Sequence, residues 1–147
     1  MSARSTGPSS HLRWSELACR DAIRTPYPLD YRTAARVHDL ALAFETLRQA
    51  CGNRPLTVLS AYRTRAWNEL VGGSPHSQHL AGRALDLQTP GHLTPHDFWA
   101  IARDVARLVP IVGGLGRYDW GLHLDVRPRH ADRAVVWDLR EDKCVRV

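Results

Sequence analysis

Two imidazoles and one carboxylate are spaced in this chain so that a single metal ion could use all three. His79 and Asp86 lie seven positions apart within Ser77-Gln78-His79-Leu80-Ala81-Gly82-Arg83-Ala84-Leu85-Asp86, and His123 follows in Gly121-Leu122-His123-Leu124-Asp125. Such a set binds zinc through three protein atoms and leaves the fourth tetrahedral position to water or substrate, as in hydrolytic rather than structural sites. A general base would also be needed, and two carboxylates qualify. Asp125 shares a strand face with His123 if Leu122 to Val126 is extended. Asp119, four residues before His123, reaches the same place only if the chain turns at Gly121. The other histidines, His11, His38, His92, His96 and His130, read as surface or hydrogen-bonded residues. His76 is not needed by a complete three-ligand site.

These residues require particular elements to bring them together. His79 sits in a polar loop, whereas Ala84 to Gln88 alternates like a strand, so a turn at Gly82 must return Asp86 to the side of His79. Ala84 would share the face of Asp86 and, being small, leave room for an ion. Upstream, apolar residues recur at Val37, Leu40, Ala41, Phe44, Leu47 and Cys51, a helical stripe that Asp30 is placed to cap. Leu56 to Ser60 reads as a strand, and Thr64 as the cap of a short helix through Val71. Thr94-Pro95-His96-Asp97 opens a further helix carrying Phe98, Ile101, Ala102, Val105 and Leu108 up to Pro110. Residues 113–118, 121–126 and 134–138 read as strands of an antiparallel meander. The expected fold is α+β: a small antiparallel sheet with helices packed on one side.

The pattern Ser77-x-His79-x-x-Gly82-x-Ala84-x-Asp86 with a late His123 resembles the zinc D-Ala-D-Ala carboxypeptidases and dipeptidases, whose fold is shared by hedgehog-type domains. Leu59-Ser60-Ala61-Tyr62-Arg63-Thr64, Asn68 and Val71-Gly72-Gly73-Ser74-Pro75 are similar to that family's Ser-Gly-Tyr-Arg segment and glycine-rich loop. Trp14 to Cys19 and Asp119 to Arg127 are similar to its opening and closing segments. The resemblance implies one zinc per chain on His79, Asp86 and His123. It also implies that Arg63 holds the substrate's carbonyl or carboxylate and that Ser77 contacts substrate. The implied activity is hydrolysis in the stem peptide of peptidoglycan, at a terminal D-Ala or internally. Several relatives carry an acid or histidine three positions before the last ligand, where this chain has Trp120. The base therefore stays open between Asp125 and Asp119, and a zinc-stabilised cell-wall-binding module without hydrolysis is the alternative.

Composition sets the remaining bounds. The chain has 147 residues, 44% of them hydrophobic, enough for one packed domain and too few for two. Residues 1–10 are polar and without periodicity, the expectation being a disordered tail before a domain spanning 11–147. Three cysteines, Cys19, Cys51 and Cys144, show no disulfide or zinc spacing. The net charge of +5 comes almost wholly from arginine, Lys143 being the only lysine. Scattered arginines without a basic block argue only weakly for nucleic acid and suit an anionic cell wall about as well, and no nucleic-acid partner is expected. Neither a signal peptide nor a membrane span is readable. The expectation is a protein made in the cytoplasm, with a monomer favoured over an oligomer, which reaches the wall by phage-type release, as a virion component or, as a host protein, by another route of export.

Overall fold

The computed structural model describes residues 6–140 and 145–146. In chain order the elements are α1 (Trp14–Leu17), α2 (Tyr31–Ala50), β1 (Val58–Ser60), α3 (Arg65–Leu70), β2 (Ala84–Gln88), α4 (Pro95–Leu108), β3 (Gly114–Tyr118), β4 (Gly121–Asp125), β5 (Val135–Asp138) and β6 (Val145–Arg146). Their starts follow local chemistry. Asp30 accepts hydrogen bonds from the backbone of Arg32 and Thr33 at the head of α2, Thr64 caps α3 through Trp67, and Thr94 caps α4 through Asp97 with Pro95 in the first turn.

The strands form one sheet of order β1-β2-β4-β3-β5-β6. All neighbouring pairs are antiparallel except β3 and β5, which run parallel, so the sheet is mixed rather than the expected meander. β5 is still antiparallel to β4, the strand before it, so the 126–134 loop only has to pass the end of β3 and no crossover helix is required. Arg129 pins that loop by donating to the carbonyls of Ala106, Val109 and Val112 at the end of α4. Lone carbonyls at a helix terminus favour a cation of this kind.

The two sheet faces differ in composition because side chains alternate along each strand. Leu85 and Leu87 of β2, Leu122 and Leu124 of β4 and Leu115 of β3 lie in one core with Leu40, Phe44 and Leu47 of α2 and Phe98, Ala102 and Val105 of α4. Burying each leucine or phenylalanine there contributes about 1.5–3 kcal/mol. The two long helices thus cover one face, as expected. Leu108, expected in the α4 stripe, is 80% exposed, because the last turn of the helix runs past the core. The short α3 lies instead beside the opposite face, where Asn68 accepts from Arg63 and donates to the carbonyl of Ser74.

The first residues described are not a free tail. The Ser9 hydroxyl and the His11 backbone N–H both donate to Glu45 on α2, and Thr6 accepts from the Trp14 backbone. Cys19 and Cys51 are buried free thiols, and burial pushes Cys51 up to about 11; Cys144 lies outside the described residues. Among the described residues no helix is long and apolar enough to cross a membrane.

The face away from α2 and α4 carries a rank of facing residues: Ser60, Asp86, His123, Gly116 and Trp137 are successive cross-strand partners on β1, β2, β4, β3 and β5. Gly116 is needed there, since a Cβ would lie 2.3 Å from the Trp137 indole, which folds over it toward His123. Gly116→Ala is expected to lower the unfolding free energy by about 1–3 kcal/mol through overpacking. Urea denaturation reads this, and an unchanged midpoint would show that the indole moves aside without cost.

Candidate metal centre

His79 reaches the sheet from a loop held on two sides. Its Nδ1 donates to the Ala61 carbonyl at 2.5 Å, and its own carbonyl accepts from the Arg63 backbone at 3.1 Å. The return into β2 is made at Gly82, whose φ of 67° lies in the left-handed region and whose Cβ would stand 2.7 Å from the Tyr27 hydroxyl. Tyr27 donates to the Gly82 carbonyl at 2.8 Å, and burial raises its pKa to about 12. Asp86 and His123 then meet as direct cross-strand partners.

The three groups form one buried cluster. His79 Nε2 lies 3.1 Å and His123 Nδ1 3.0 Å from Asp86 Oδ1, and the imidazoles meet edge to face. One ligand atom from each lies within 4.8 Å of the others. Each imidazole has its outer nitrogen committed as a donor: His79 Nδ1 to the Ala61 carbonyl, and His123 Nε2 to Asp125 Oδ2 at 2.8 Å. In the neutral rings the inner nitrogens therefore carry the lone pairs, available to a metal ion. Burial lowers the pKa of His79 despite Asp86, so its inner nitrogen is unprotonated at neutral pH. On His123 burial acts in the same direction, but the hydrogen bonds to Asp125 and Asp86 outweigh it and raise the pKa. Burial opposes ionisation of Asp86, yet bonds from His123 and His79 hold its carboxyl well below the usual carboxylate range. A proton on His123 Nδ1 satisfies the short contact to Asp86, and a metal ion can take its place, since ligands of a tetrahedral zinc stand roughly 3.3–3.5 Å apart. Donor set and spacing both fit zinc.

A model of the peptidase M15 family matches residues 10–125, which contain all three donors. The chain belongs to the M15 family. The zinc D-Ala-D-Ala carboxypeptidase of Streptomyces albus G is 40% identical over 43 residues, 29% of this chain and 17% of that protein. The match thus spans less than a fifth of the curated relative's length.

Around the donors of this M15 member, the other expected residues take distinct places. Arg63 donates through Nε to Ser60 at 3.1 Å, through Nη1 to Asn68 at 3.4 Å and through Nη2 to Asp86 Oδ2 at 3.3 Å. Its guanidinium is therefore fixed against the oxygen of Asp86 that does not face the imidazoles. Ser77 accepts the backbone N–H of His79 at 3.2 Å, which makes it a support of the loop.

The two candidate bases stand in different surroundings. Asp125 is fully buried with both oxygens engaged, by His123 Nε2 and by Arg127 through Nε and Nη2. Burial opposes its ionisation, but the bonds from His123 and Arg127 hold it at about 2. It faces the outer side of His123, away from the other donors, which is unsuitable for a base and suited to fixing the ring. Asp119 lies exposed with Trp120 in the two-residue turn between β3 and β4, next to the terminal pair Tyr118 and Gly121. Gly121 takes φ 154°, and a Cβ there would stand 2.0 Å from the Leu87 carbonyl oxygen, so only glycine allows this turn. The chain therefore turns at Asp119 and Trp120, immediately before Gly121.

Sequence reasoning missed the wall of the site. Trp137 stands tilted over His123 with ring centroids 5.2 Å apart, receives the Arg127 guanidinium on its face, and donates through Nε1 to Tyr118. The available signal was Gly114-x-Gly116, two glycines on one strand face, where Asp125 and Trp137 occupy the space that side chains would take. Asp125→Asn is expected to keep the fold but weaken zinc binding about 10–100-fold. Competition against a chelator of known affinity measures this, and wild-type affinity would show that His123 needs no partner.

Proposed function

We propose that this M15 member is a zinc peptidase that hydrolyses a peptide bond in the stem peptide of bacterial peptidoglycan. The observation that carries the reading is the inward-facing His79, Asp86 and His123 set with the Arg63 guanidinium fixed beside it. A purely structural zinc needs no such cation. Family membership and the similarity to a zinc D-Ala-D-Ala carboxypeptidase support the same substrate class. When bound, zinc supplies a polarised scissile carbonyl and a water with its pKa lowered towards about 7.

The residues of the chain do the rest. Among the described residues, three of the five guanidinium N–H groups of Arg63 are engaged, by Ser60, Asn68 and Asp86, and the other two are available to grip the substrate's carbonyl or carboxylate. Asp119, at the hairpin turn, accepts the proton of the attacking water and returns it to the leaving amine. Asp125 takes no proton and holds His123 Nε2, so that Nδ1 stays available to the metal. Trp120, at the position where relatives carry an acid, favours a second reading: a zinc-stabilised module that binds cell wall without cutting it.

Mass spectrometry of purified muropeptides incubated with the zinc-loaded protein decides between these readings and shows whether a terminal residue or an internal bond is released. Asp119→Asn is expected to keep zinc and to lower turnover roughly 10²- to 10⁴-fold. No release by the fully zinc-loaded wild type would favour the binding module, and full turnover in the Asp119 variant would remove that residue from the mechanism.

A further inference from the structure

Tyr118 stands on the site face of β3, two residues beyond Gly116, the cross-strand partner of His123. Trp137 joins it to the metal centre, because the same indole that covers His123 donates from Nε1 to the Tyr118 hydroxyl at 3.0 Å. An indole N–H can only donate, so the phenol oxygen is the acceptor in that bond and its own proton must point elsewhere. Among the described residues the hydroxyl makes no other hydrogen bond. The ring cannot swing away, being stacked on Trp120 at 4.7 Å and 18°. The result is a half-buried phenol, gripped at its ring and at its oxygen, with one donor unspent.

We infer that Tyr118 is a catalytic residue whose hydroxyl donates a hydrogen bond to the scissile carbonyl oxygen as negative charge grows there, with Trp137 as its positioning residue. No proton is transferred in this role: the O–H bond stays intact, and the charge arises from the attacking water. Burial raises the phenol pKa, and the charge of Asp86 raises it further, so the group is a protonated donor at neutral pH. A donor held in place before reaction and aimed at developing charge in a partly desolvated site stabilises the transition state more than the ground state. Arg63 and Tyr118 would then act on the substrate from different strands, the first from the β1 side of the site and the second from β3.

The inference rests on the peptidase reading, and the test separates the two. Tyr118→Phe keeps the stacked ring and removes one oxygen. In the zinc-loaded full chain it is expected to lower kcat on muropeptides roughly 10²-fold, with KM and zinc content within about twofold of wild type. Trp137→Phe, which keeps an aromatic ring over His123 without the N–H, should show a smaller fall, and the double variant should be no worse than Tyr118→Phe alone. Undiminished kcat in Tyr118→Phe, or a fall that tracks lost zinc, overturns the inference. If wild type cleaves no muropeptide, the peptidase reading fails, and affinity for a phosphinate dipeptide, measured by calorimetry, takes over. Weaker binding by Tyr118→Phe than by wild type then sustains the role, whereas equal binding, or binding by neither, overturns it.

Discussion

Three metal-ligating groups are held face to face in the interior of this protein. The inner nitrogens of His79 and His123 stand 3.0–3.1 Å from one oxygen of Asp86, and because both imidazoles donate outward to Ala61 and Asp125, these inner nitrogens are the ones a metal ion can use. In a medium of low dielectric such an arrangement is costly unless a proton or a metal ion sits between the groups. The surroundings all serve to keep it. The 61–63 segment orients one imidazole, the Asp125–Arg127 pair orients the other, and Arg63 occupies the second oxygen of the carboxylate.

The sheet makes this possible by dividing its labour between faces. Leucines on alternate positions of β2, β3 and β4 anchor the strands to α2 and α4, so the polar residues between them are placed by packing that they do not share. Position is therefore fixed to within a strand register, and chemistry can be exchanged on the other face without loss of the core. The small residues Ala84, Gly114 and Gly116 on that face are the complement of the large ones, and give Asp125 and Trp137 room to reach His123.

Much of this was legible in the sequence, for local reasons. Asp30, Thr64 and Thr94 announce their helices because capping is a short-range hydrogen bond, and Ala84 to Gln88 reads as a strand because alternation is a property of the strand itself. The three donors stood out because metal ligation restricts residue type and spacing together. Partner choice between strands was not legible: periodicity does not say that β5 passes its predecessor to lie parallel beside β3. Nor could residue type separate Asp119 from Asp125. Face sharing with His123 made Asp125 attractive, yet the same proximity lets it bond the ring and Arg127 and leaves it no free oxygen. Trp137 escaped notice because its contact with His123 spans a parallel pairing that only the fold reveals.

The claim on which all else depends is that the two imidazoles meet the metal through different nitrogens, as dictated by what holds their outer sides. Anomalous diffraction at the zinc edge from crystals of the zinc-loaded protein tests it directly. The expected result is one ion bound by His79 Nε2, an oxygen of Asp86 and His123 Nδ1, each at about 2.0–2.2 Å, with the remaining position open to solvent. An ion bound through His123 Nε2, or found away from this cluster, would contradict the account.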